Sequence, residues 1–108
     1  MSTGIRIVLC SCPDPDTAAR IARQLLETRL AACVNLIPGL TSLYHWQGTL
    51  ESAQETLLLI KTTEACYPSL ETLILKHHPY ELPEILAIPI EQGLSAYLEW
   101  VRQCVKPG

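Results

Sequence analysis

The stretch ACVNLIPGLTSLYHWQGTLESAQETLLLIKT, residues 32–62, decides the fold. Its first half has strand character broken at Pro38-Gly39, which predicts a bend or a bulge. Beyond the break the side chains alternate: Leu43 and His45 point one way, Ser42, Tyr44 and Trp46 the other. Gln47-Gly48-Thr49 makes a turn, and LESAQETLLLIKT returns as a second strand. The second half of that return, LLLI at 57–60, is continuously apolar, the pattern of a strand buried on both faces. A long hairpin therefore runs from a core at one end to a turn at the other.

Working outward, IRIVLCSC (5–12) is β-branched and apolar and stops at Pro13, so it is a buried first strand. Asp14 then suits an N-cap, with Pro15 at the first helical position and Asp16 in the first turn. Ala18, Ile21, Ala22, Leu25, Leu26 and Leu30 recur at three- and four-residue steps, while Arg20, Arg23, Glu27 and Arg29 take other faces. That is a surface helix with one buried stripe. A second helix is expected over Ala65 to Lys76, with Pro68 tolerated in its first turn and Leu70, Leu73 and Ile74 buried. EILAIPI (84–90) is a short last strand. Pro83 and Pro89 place it at an edge, where missing ladder donors are tolerated. LSAYLEWVRQC (94–104) closes the chain as a helix with Leu94, Tyr97, Leu98 and Val101 on one side. The order βαββαβ plus a helix predicts a ferredoxin-like α+β sandwich in a single domain spanning 1–108.

Composition bounds the function. The chain has 108 residues, 48% hydrophobic and 18% charged, which is enough apolar material for a core. A net charge of −3 offers no basic face for phosphates, so no nucleic acid is expected. RNA binding on the sheet would need aromatic residues on the strands, and there is no Phe. No apolar run approaches bilayer length, so no membrane is expected. The first residues hold too few apolar side chains for a secretory h-region. Five cysteines without a framework spacing are then expected as reduced thiols in the cytoplasm. From Leu30 to Ile60 there is no Lys or Arg. An unguarded hairpin edge of that kind recruits other chains, which predicts a homo-oligomer.

The strings CSCPD, LLETRLAACVNLIPGLTSLYHWQG, LLLIKT, HHPYELPEILAIPI and YLEWV, in this order and spacing, resemble the CutA family of divalent-cation tolerance proteins. The resemblance covers about Ile5 to Val101. It implies a ferredoxin-like homotrimer similar in assembly to the PII signalling proteins, with copper binding and a role in the response to metal ions. By the same resemblance the copper ligands fall on Cys10, His77 and His78. Cys12 stands where many members have a small apolar residue.

Read on its own chemistry, KHHPYELPE (76–84) allows two interpretations. Pro79 drives His78 away from the helical conformation, so the stretch can simply end a helix, with its donors near the last carbonyls. It can also serve a metal. Two consecutive residues at a helix exit diverge and are not expected to clasp one ion within one subunit, so a metal site would use one imidazole while the other bonds a carbonyl, or would draw its ligands from two subunits. Cys10 and Cys12, two apart on a strand, face the same side. They are either small core residues or a soft-ligand pair for Cu(I). The C-x-C spacing is not that of a structural zinc knuckle. Cysteine with histidine, steadied by Glu81 or Glu84, could in principle form a nucleophile and base. There is no glycine-rich loop, nucleophile elbow or GxGxxG beside them, so no enzyme is expected. The alternative to metal handling is a PII-like signalling or scaffold trimer, binding a small ligand or protein partner in clefts between subunits.

Overall fold

The computed structural model describes residues 2–107. In chain order it contains β1 (Ile5–Cys12), α1 (Pro15–Glu27), β2 (Cys33–Trp46), β3 (Thr49–Thr63), α2 (Tyr67–His77), β4 (Leu86–Pro89) and α3 (Ser95–Cys104). The strands form one sheet in the order β2-β3-β1-β4, with each neighbouring pair antiparallel. This is the ferredoxin-like α+β sandwich anticipated above, with a long bent hairpin and an added C-terminal helix.

Local chemistry explains the elements. Asp14 is extended at φ −157°, and its Oδ1 accepts from the Thr17 amide at 2.7 Å, capping α1. At the other end, the Leu30 amide donates to the Leu25 carbonyl and the Arg29 amide to the Leu26 carbonyl. This is a Schellman stop in which Arg29 takes the left-handed conformation, φ 62°. The register of β2 on β3 slips between Ile37 and Leu40, so Pro38-Gly39 is indeed a bulge. The hairpin tip holds Gln47 and Gly48 at φ 50° and 80°, the paired positive angles of a type I′ turn.

Two boundaries differ from expectation. α2 starts at Tyr67 rather than Ala65, because the Cys66 amide closes a turn onto the Thr63 carbonyl at 3.1 Å. β4 spans only Leu86–Pro89, because it pairs with β1 alone and the prolines near its ends carry no amide donor.

The core lies between the sheet and α1 with α2. Val8, Cys10 and Cys12 of β1 and Leu58 and Ile60 of β3 meet Ile21, Leu25, Leu70 and Ile74 there. Strand alternation sends Ile7, Leu9, Leu57 and Leu59 to the opposite face, where they are only partly covered. Leu98 and Val101 of α3 pack with Ile5 at one end of that face. Past the Cys12–Thr56 pair, β2 and β3 continue without β1, giving principal extents of 44 × 27 × 22 Å.

Thr62 ties β3 to the end of the first helical segment: its hydroxyl is fully buried and donates to the Leu30 carbonyl at 2.6 Å. The near-isosteric Thr62→Val removes the donor and strands that carbonyl. It should cost about 1–3 kcal/mol in denaturant unfolding. A loss well below this range would mean that water or a shifted backbone replaces the bond.

Candidate metal centre

Alternation on β1 puts Cys10 and Cys12 on the face covered by the helices, and both are fully buried. The third member arrives from the other half of the chain. Pro79 holds His78 extended, at φ −80° and ψ 134°, and the His78 amide still donates to the Ile74 carbonyl at 2.8 Å. α2 stops there, and the His78 ring reaches the C-terminal end of β1.

Its tautomer follows from its neighbours. The Tyr80 amide, which can only donate, is 3.1 Å from Nδ1, so Nδ1 is the bare nitrogen. Nε2 then carries the proton and donates to the Ser11 carbonyl at 2.7 Å. The ring is 8% exposed. The two sulfurs and a ring nitrogen of His78 all lie within 4.8 Å of one another. The neighbouring Cys12 side chain, with burial, pushes Cys10 far above the usual thiol range. The same contact pulls Cys12 below it.

Of the three side chains that the family resemblance implies, Cys10 and His78 converge. His77, the last residue of α2 and half-buried, is not part of the group, which Cys12 completes. Two sulfurs and an imidazole suit a soft or borderline metal ion.

A second feature adjoins the centre. The Tyr80 ring lies 4.7 Å from that of His78, and its hydroxyl donates to Glu55 Oε2 at 2.6 Å. Glu55 is 8% exposed although it is a carboxylate. Nothing in the sequence reading singled out this pair; a Glu opening the apolar run ETLLLI was the available signal. Tyr80 and Glu55 form one wall of a groove of about 600 Å³, with Tyr44 and Trp46 on the hairpin side and Glu81 and Glu84 on the loop side.

With fold and site in view, comparison with known proteins is decisive. The family of CutA1 divalent ion tolerance proteins matches over residues 6–104. The chain belongs to this family. CutA of Thermus thermophilus, a divalent-cation tolerance protein, is 50% identical over 97 residues, covering 90% of this chain and 94% of that one. Human protein CutA is also 50% identical over 93 residues, but those residues are 52% of its length. The solved T. thermophilus CutA1 structure superposes with a TM-score of 0.93 at 47% identity, covering 94% of this chain and 99% of its own. CutA1 from Oryza sativa superposes at 0.94 with 34% identity, covering 99% and 98%. A similar CutA from Archaeoglobus fulgidus is described as periplasmic. No helix among the described residues is long and apolar enough to cross a membrane.

Burial, then the Glu55 bond, pushes the Tyr80 hydroxyl well above the usual tyrosine range. Burial and Glu71 push Tyr67 up to about 12. Both stay protonated in the fold where an unfolded tyrosine ionises. Their stabilisation is therefore complete below roughly pH 10 and is lost as pH rises through the folded values. Tyr80→Phe should cost about 1–3 kcal/mol near neutral pH, since it leaves the Glu55 carboxylate without its donor. It should also flatten the alkaline fall in stability, measured by unfolding between neutral and strongly alkaline pH. An unchanged alkaline slope would place that sensitivity elsewhere.

Proposed function

We propose that this chain is a copper-binding divalent-cation tolerance protein, acting as a cytoplasmic homotrimer in the response to metal ions and not as an enzyme. The observation that carries this reading is the meeting of Cys10, from the first strand, with His78, from the end of the second helix, in one buried cluster. An ion held there would draw on the Cys10 sulfur and a His78 lone pair, with His77 outside the centre. His78 would have to yield the bond from the Tyr80 amide if Nδ1 binds the ion, and both backbone bonds if Nε2 binds it, because the ring proton then sits on Nδ1. A competition of that kind favours exchangeable binding over a permanent structural ion.

The rest of the molecule is consistent with a trimer. The sheet leaves Leu86 and Ile88 exposed beside the half-covered Ile7, Leu9, Leu57 and Leu59, a continuous apolar face. Its two unpaired edges, β2 and β4, permit a head-to-tail contact that closes into a ring. Five free cysteines are compatible with a reducing compartment. Against catalysis, both candidate nucleophiles are sealed from solvent and Cys10 is held as a thiol. The groove beside Tyr80 favours a second reading, a PII-like scaffold whose trimer binds a small ligand or partner between subunits, with metal incidental.

Light scattering should give a mass three times the 12.0 kDa chain. Copper titrated against a competing chelator should load one ion per subunit in the wild type and in His77→Ala. Cys10→Ser and His78→Ala should lose it while remaining trimeric. Identical behaviour of all four proteins would remove copper handling and leave the groove as the functional feature.

A further inference from the structure

We propose that Cys12 is itself a ligand, and that it makes the centre a two-sulfur, one-nitrogen site selective for monovalent copper over divalent ions. This rests on the metal-binding reading above and adds a ligand and a charge state to it.

The argument begins with position. Cys12 shares a strand face with Cys10, is fully buried, and its sulfur lies within 4.8 Å of both the Cys10 sulfur and a His78 ring nitrogen. An ion drawn to Cys10 and His78 is therefore brought against a second sulfur. The donor count decides which ion. Zinc in closed sites takes four donors. Among the described residues this cluster supplies three, all soft or borderline. The nearby carboxylates do not complete it: Glu55 accepts the Tyr80 hydroxyl and Glu84 is exposed. Solvent has no open approach either, with the cysteines at 0% exposure and His78 at 8%. A sealed three-donor set without a hard oxygen suits Cu(I), which is stable at low coordination number and prefers sulfur. It leaves hexahydrated or tetrahedral divalent ions short of ligands.

The chemistry is coordination alone. As each Cu–S bond forms, that thiol releases its proton to the buffer. His78 contributes a lone pair from Nδ1 once the Tyr80 amide lets go, or from Nε2 after the ring proton moves to Nδ1, which surrenders the Ser11 and Tyr80 bonds together. Copper arrives already monovalent, and no electron is transferred.

The test uses the full chain under anaerobic, reducing conditions, titrated with Cu(I) against a chromogenic Cu(I) chelator and challenged with excess Zn(II). Wild type and His77→Ala should hold one Cu(I) per subunit and keep it against zinc. Cys12→Ser and the smaller Cys12→Ala should weaken binding by more than the roughly 100-fold that loss of an outer-shell partner costs. Copper-edge X-ray absorption on the wild type counts sulfur neighbours without relying on any variant, and should find two sulfurs and one nitrogen. One sulfur, or wild-type affinity in both Cys12 variants while Cys10→Ser and His78→Ala lose the ion, overturns this inference and leaves the metal reading standing. Displacement by zinc overturns the selectivity. Equal behaviour of every variant, Cys10→Ser and His78→Ala included, brings down the metal reading as well.

Discussion

Two central strands that are apolar on both faces need cover on both sides, and this chain has helices enough for one. β1 and β3 form the middle of the sheet, and their register aligns Val8 with Ile60 and Cys10 with Leu58 under α1 and α2. The same register aligns Leu9 with Leu59 on the other face. α3 shields only the end of that face, around Ile5. Each large side chain left uncovered forgoes burial worth about 1.5–3 kcal/mol. The deficit is therefore built into the topology. It cannot be removed by repacking the chain, since the hairpin that carries β3 has no further helix to offer.

The helix layer fixes the centre by a second constraint, the proline after His78. Pro79 removes the helical option one residue before it, so α2 stops by steric exclusion, without a glycine or a side-chain cap. That stop turns the His78 ring onto the Ser11 carbonyl, the backbone between the two cysteines. Cys10 and Cys12 are thus a consequence of strand alternation, and His78 a consequence of the proline. The centre needs no strained residue of its own. The left-handed non-glycine positions, Arg29 and Gln47, both lie elsewhere, at a helix end and at the hairpin tip.

Much of this was legible in the residues. Asp14-Pro15 marks the start of α1, Pro38-Gly39 the bulge and Gln47-Gly48 the turn, each a local rule with a local outcome; LLLI is a central strand apolar on both faces, but only its Leu58 and Ile60 face is buried, and Leu57 and Leu59 stay half-covered. The divergence of His77 from His78 was equally legible, because Pro79 acts on its neighbour whatever the fold. Less could be read where the outcome depended on distant partners. Alternation put Cys10 and Cys12 on one side, but which element would cover that side is set by how α2 leaves the sheet. The burial of Glu55 depends on Tyr80 reaching across from the loop before β4, a contact between residues 25 apart in sequence. Periodicity carries no information about such a pair.

The histidine of the cluster is already held in a satisfied network, and this bears on what kind of site it can be. His78 has a partner on each nitrogen, and Tyr80 serves Glu55. Gln24 Oε1, on α1, is the one buried side-chain polar atom among the described residues without a partner. A structural zinc site is the opposite case: without its ion the ligands have nothing to hold them, and the fold is lost with the metal. Here the His78 ring stands on its own hydrogen bonds, and an ion bound to it would have to displace at least one of them. Its affinity is therefore a difference between bonds gained at sulfur and nitrogen and bonds surrendered to the backbone. Under the metal reading proposed above, a centre governed by such a difference would take up an ion without the fold depending on it.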